Sequence, residues 1–282
     1  MLVLALLSLA MIPSTTAVSE EEPGVLLDVV IIDLDCLATN NTCSGYRPAH
    51  LVEYMGADWC QPCRIVESQL DERAEDDTFI LRHHPSPRDV SFLSESYYRF
   101  STILGLWGLP SMVIDGEGLL AGSSQIGELE FALSNRSGTN FTGLTSVELV
   151  NGTLHWNTTT TNSFIEVWTT AEVSHGEEDY ALANMAVNHT FSSAAAITVD
   201  TEGEFLVIML QIDGPVELVS DSNTLANAGI EAIEEGTTLD PFAKDPTLLV
   251  IVVAIFLLLI SLPATVMLIR EIRNKPPTDE SE

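Results

Sequence analysis

The chain has 282 residues, enough for two ordinary domains and an anchoring segment. Its 11 Lys and Arg stand against 41 Asp and Glu, a formal net charge of -30. Such a surface repels nucleic-acid phosphates and anionic lipid, which excludes nucleic acid as a partner. Lys244 and Lys275 supply the ammonium groups, so the composition is acid-rich and lysine-poor, of the kind that stays hydrated in salty water.

Residues 1–17 give a short apolar run closed by small residues and predict a secretory signal peptide, with an uncleaved N-terminal anchor as the alternative. After the acidic leader Glu20, Glu21, Glu22, the β-branched run at 25–35 predicts a buried strand, followed by a loop holding Cys36 and Cys43. A second strand at 50–55 feeds directly into WCQPC and a helix with the apolar stripe Ile65, Val66, Leu70, Ala74. A third strand at 78–82 precedes a helix carrying Leu93, Tyr97, Phe100 and Leu104. A strand at 111–115 then turns into LLAGS, and Ile126, Leu129 and Leu133 predict a closing helix. Over residues 18–135 this alternation predicts an α/β sheet covered on its faces.

The pattern changes after Asn135. Between apolar alternations, Asn151-Gly152 predicts a type I′ hairpin. Further short strands predict a small β-sandwich-like domain at 145–220, followed by a polar stalk at 221–246. Residues 248–269 carry no charge and are long enough for a single C-terminal transmembrane helix. Arg270, Arg273 and Lys275 follow it, against Lys244 before it, which predicts a cytoplasmic tail at 270–282 and extracytoplasmic N-terminal domains. That places the chain as a single-pass protein of the cell membrane. Asn40, Asn135, Asn140, Asn151, Asn157 and Asn188 each lie two residues before Ser or Thr, the acceptor pattern of a glycoprotein.

The chemistry concentrates at Cys60-Gln61-Pro62-Cys63, where a strand hands over to a helix. Unpaired N–H groups at the helix start favour a thiolate on Cys60, and Cys63, one turn along, can resolve a mixed disulfide. Proline is tolerated in the first turn, and Trp59 offers a flat apolar shoulder to a substrate chain. Residues 25–134 resemble the thioredoxin family, in its extracytoplasmic, membrane-tethered form, through the strand LVEYMGAD, the motif WCQPC with Arg64 behind it, and LPSMVIDGEG.

That resemblance implies a thioredoxin-like α/β fold, with Pro110 as a cis-proline facing the active disulfide and Leu109 pairing its backbone with a bound substrate strand. It also implies a buried acid beside the resolving cysteine. Tyr54 occupies the usual position, six residues before Cys60, and Glu53 is the candidate one residue further back. Gln-Pro replaces the Gly-Pro of reducing members, so the direction of electron flow does not carry over.

Cys36 and Cys43 read as a structural disulfide, with a second redox pair relaying electrons as the alternative. A zinc site is the rival use of the CxxC, with His83 and His84 as further ligands; the simpler reading of those histidines is a solvated loop, and no metal or cofactor is implied. The expected function is thiol–disulfide exchange as an oxidoreductase on extracytoplasmic protein thiols and disulfides, with a membrane redox partner as a further expectation. The alternative is a non-catalytic surface protein using the same module as a docking platform.

Overall fold

The computed structural model describes residues 23–39, 41–73, 77–136, 141–225 and 231–232. The expected signal peptide at 1–17, the transmembrane segment at 248–269, the tail at 270–282, and Asn40 and Asn140 lie outside them.

In chain order, β1 (Pro23–Asp33) leads through a tight turn into β2 (Thr42–Ser44), and β3 (His50–Met55) into helix α1 (Gln61–Arg73). Strand β4 (Thr78–His83), helix α2 (Ser94–Tyr98), the short strand β5 (Gly108–Leu109), β6 (Ser111–Ile114) and β7 (Gly118–Ala121) follow. The expected closing helix is two short ones, α3 (Gly122–Ile126) and α4 (Leu129–Asn135). Six strands come next: β8 (Leu144–Val150), β9 (Thr153–Thr158), β10 (Ser163–Ser174), β11 (Ala181–Ser192), β12 (Ala196–Thr198) and β13 (Phe205–Asp213). The described chain closes with β14 (Val219–Ser220) and β15 (Glu231–Ala232).

The expected division into a thioredoxin-like α/β domain and a separate β-sandwich is overturned. The molecule is mostly β, and strands from both halves join one nine-stranded mixed sheet in the order β1-β13-β10-β11-β4-β3-β6-β7-β14. The reason lies in strands that are apolar on both faces. In β1, Val30 and Ile32 face one layer while Val29 and Ile31 face another; in β13, Leu206, Ile208 and Leu210 oppose Val207 and Met209 in the same way. Alternate residues point to opposite faces, so such strands need cover on both sides. They therefore pair with each other, β1 antiparallel to β13 from Pro23↔Asp213 to Asp33↔Phe205, instead of staying with their own halves.

One face of these strands packs against a second sheet, β12-β9-β8-β2, through Leu149, Leu154 and Trp156. The other meets Leu51, Phe79 and Leu81 of β3 and β4 around the buried Trp168. The far side of β3 and β6 is covered by the helices, with Val52, Tyr54, Met112 and Ile114 against Val66, Leu70, Leu129 and Leu133. The β8–β9 connection matches its sequence signal: Asn151 and Gly152 both have positive φ, 48° and 77°, as a type I′ turn requires.

The expected localisation by a single-pass helix is also corrected. Among the described residues no helix is long and apolar enough to cross a membrane, and the residues that carried the expectation lie outside the described ones. The segment read as a polar stalk, 221–246, contains β15, which pairs antiparallel with β5.

Because one sheet runs through both halves, unfolding is expected in a single transition. Trp168→Ala removes the largest fully buried side chain and should cost about 3–5 kcal/mol, moving far-UV and near-UV melting curves together. Two separated transitions would show that the halves fold independently.

Candidate functional site

Helix α1 begins one residue after Cys60, and Cys60 and Cys63 are joined by a disulfide with S–S 1.97 Å. The Cys63 N–H points at Cys60 Sγ, 3.2 Å away, while the Cys60 N–H donates to the Ala57 carbonyl. The first turn of a helix leaves N–H groups without full intrahelical partners, and here the Cys63 N–H is shared between the sulfur and the Cys60 carbonyl, 3.0 Å away. Both cysteines are 0 % exposed, packed with Met55, Ala57, Phe100, Leu104, Leu106, Leu109 and Val113.

The peptide bond Leu109–Pro110 is cis. Leu109 is buried in the same cluster as the cysteines, and its main chain pairs antiparallel with Glu231, Gly108 with Ala232. Trp59 is partly buried, its indole N–H donating to Ser86 Oγ at 2.9 Å, and the Arg88 guanidinium lies 4.7 Å over its ring. Arg64 turns back to donate to the Asp58 carbonyl and pairs with Glu177 and Glu178. Cys36 and Cys43 form the second disulfide, joining the turn after β1 to β2.

Glu53 is not at the disulfide. It lies on the face of β3 opposite Tyr54, and its carboxylate is taken by Arg99, whose Nη2 is 2.8 Å from Oε1. Tyr54 instead reaches the cysteine helix, its hydroxyl donating within 3.4 Å of the Cys63 carbonyl and 3.1 Å of Glu67 Oε1. The shift of one residue along a strand explains the difference, because it exchanges faces. The predicted stripe on α1 is likewise rearranged: Val66 and Leu70 are buried, Ile65 is 56 % exposed, and the polar Glu67 takes the inward position instead.

Two clusters that sequence reasoning missed lie beside these residues. On the helix side, Glu67 accepts from Tyr54 and, at 3.0 Å, from Tyr180, and the imidazoles of His84 and His175 stand between Glu67 and Asp58 at 3.5–3.7 Å. His175 Nδ1 accepts from the N–H groups of Glu177 and Glu178, so its proton sits on Nε2, aimed at the two carboxylates. Asp58, His84 and Asp89 have ligand atoms within 4.8 Å of one another, the one such group among the described residues.

Their donor set is partly committed to the protein itself, while His84 Nε2 and Asp89 Oδ2 have no hydrogen-bond partner. His84 Nδ1 is already bonded to Ser91, both Asp58 oxygens accept main-chain N–H groups, and the protonated His175 Nε2 is a donor. The cluster is a buried carboxylate–imidazole network, in which burial pushes the Asp89 carboxyl up to about 6. His83 and His84 are thus both buried, not a solvated loop, and they point apart. His83 bonds Ser96 and stacks edge-on to Trp168, its ring 4.7 Å away.

The second cluster crosses the other face of the sheet. Arg99, 2 % exposed, binds Glu53 of β3 and, at 2.9 Å, Glu166 of β10, which also accepts from His189 of β11 and Gln211 of β13. Burial alone would raise the Glu166 carboxyl, but Arg99 and His189 bring it down to about 2. Burial and the neighbouring Arg99 push His83 down to about 3. A cavity of about 410 Å³ opens over Tyr98, Arg99, Glu166, His189 and Phe191, and its lining includes neither cysteine.

Of the other acceptor asparagines, Asn135, Asn151 and Asn157 are exposed and Asn188 is half-buried, its amide donating to Asp200.

No family model and no curated protein matches the chain. A crystal structure of an Agrobacterium tumefaciens protein is similar to it at a TM-score of 0.40 and 14 % identity, over 58 % of this chain and 78 % of that one.

Two measurements test these electrostatics. Arg99→Met strands two buried carboxylates and should cost about 3–5 kcal/mol in denaturant unfolding at pH 7. His83 has a folded pKa of about 3 against an ordinary 6.5, so its contribution is present above pH 6.5 and is lost as pH falls toward 3. His83→Gln should therefore lose less stability than the parent between pH 6.5 and 4. The raised Asp89 carboxyl acts in the opposite sense, its contribution fading as pH rises through about 6, but it is common to both proteins and leaves the comparison intact. Parallel stability curves would contradict the neutral buried imidazole.

Proposed function

We propose that the chain carries out thiol–disulfide exchange with other polypeptides through Cys60 and Cys63. The observation that carries this reading is the Cys63 N–H directed at Cys60 Sγ at the start of α1, which stabilises a thiolate on Cys60 once the pair is reduced. It is joined by the likeness of WCQPC and LPSMVIDGEG to thioredoxin-family motifs, and by a buried Leu109 whose main-chain edge accepts an extended strand.

From the disulfide state, a client thiolate attacks Cys60 Sγ, the Cys60–Cys63 bond breaks, and Cys63 leaves as a thiolate that takes a proton. The client's second thiolate then attacks the client sulfur of the mixed disulfide and releases Cys60. Two electrons pass from the client dithiol to this protein, and the client ends as a disulfide; the reverse sequence reduces a client disulfide. Cys63 is the resolving group in that direction, and Tyr54 holds the carbonyl of its residue.

A second reading has its own support. Complete burial of both sulfurs favours a structural staple within a docking module.

Trapping separates the two. Reduced Cys63→Ser protein, mixed with a disulfide-containing model peptide, should accumulate a one-to-one covalent adduct, which Cys60→Ser in the same background abolishes. Cys60 should also titrate below about 7.5 by thiolate absorbance. An ordinary thiol pKa near 8.5 with no adduct favours the staple.

A further inference from the structure

One stretch of this chain's own C-terminal half runs beside the cluster that encloses the Cys60–Cys63 disulfide. Val216 and Leu218 pack against the cluster that buries both sulfurs. Val219 and Ser220 then extend the sheet beside β7. Asp221 is held by Arg136 at 2.6 Å, and Glu128 gathers the Ser222 hydroxyl, the Asn223 N–H and the Thr224 hydroxyl. Gln125 donates to the Thr224 carbonyl at 2.6 Å while accepting from the Ala121 N–H. Beyond these anchors, Glu231 and Ala232 pair antiparallel with Leu109 and Gly108, the two residues immediately before Pro110.

Resting on the proposed exchange reading, we infer that Glu231–Ala232 occupies in cis the main-chain edge at which an extended client segment docks beside the disulfide, so that exchange waits on release of this strap. The pairing uses backbone groups, which any extended polypeptide can offer, and so the site is a strand-addition edge for peptides of unrestricted sequence. A two-residue strand makes few hydrogen bonds, each of modest net strength, so the strap is displaceable at equilibrium. The fraction of molecules with the edge open sets the apparent affinity for a client. The strap also accounts for buried sulfurs in a motif whose chemistry needs a partner to reach them.

The full-length chain tests this with a small reductant that needs no docking. Glu231→Pro combined with Ala232→Pro removes both strap N–H donors, and Glu128→Ala combined with Gln125→Ala cuts the anchors at 222–224. Gln125 and Glu128 lie outside the cysteine cluster. The rate at which tris(2-carboxyethyl)phosphine reduces Cys60–Cys63, followed by alkylation and mass shift, should rise at least about tenfold in the proline variant. A rate within twofold of the parent, with an unchanged circular dichroism spectrum, overturns the strap. Should the proline variant fail to fold, the anchor variant decides by the same two criteria. Accelerated phosphine reduction without any trapped client adduct would keep the strap and remove the exchange reading, whereas adduct formation at parental reduction rates would do the reverse.

Discussion

A guanidinium sealed from water must find its countercharges inside the protein, and Arg99 finds them on strands that come from opposite halves of the sequence. Glu53 is on β3 and Glu166 on β10, and His189 and Gln211 extend the same network to β11 and β13. The interaction works as a constraint more than as a source of net stability, since removing any one partner leaves a buried charge uncompensated. It fixes the sheet as one continuous object. It also fixes the wide turn that follows α2, where the Leu104 N–H returns to the Arg99 carbonyl, and that turn delivers Phe100 and Leu104 onto the cysteines. The ion network on one face of the sheet and the disulfide at its end are therefore positioned by the same few residues.

The local pieces of the fold were legible in the sequence where short-range chemistry decides them. The start of α1 within the CxxC, the strands at 50–55 and 78–82, and the Asn151-Gly152 hairpin follow from propensity and turn geometry alone. Which strands pair is a different matter. The run at 25–33 reads as a buried strand in any fold, and nothing in it announces that its partner is β13, some 180 residues away. The clue was present but not decisive: β1, β10 and β13 are apolar at consecutive positions, which asks for cover on two faces and is incompatible with a small sandwich exposed on its outer surfaces.

The site shows the same division. Cys60, Cys63, Trp59 and Leu109 are brought together around one cluster, whereas Glu53 is drawn away by Arg99. The buried acid nearest the cysteine helix, Glu67, sits within that helix on what the sequence pattern gave as a polar position. His175 joins it from 112 residues beyond Cys63, a separation at which one sequence alone carries no signal. His84 is buried for the same reason, since Asp58 and Glu67 offer its imidazole a polar environment that a strand end before a proline does not suggest.

What distinguishes a working redox pair from a staple is how readily the bond exchanges electrons with its surroundings. Equilibrating the full-length chain in glutathione buffers, then alkylating and weighing it, gives the reduction potential of Cys60–Cys63 directly. The exchange account predicts a value between about -270 and -120 mV, the range of disulfides that turn over. A value below about -300 mV would mark the bond as structural and contradict it.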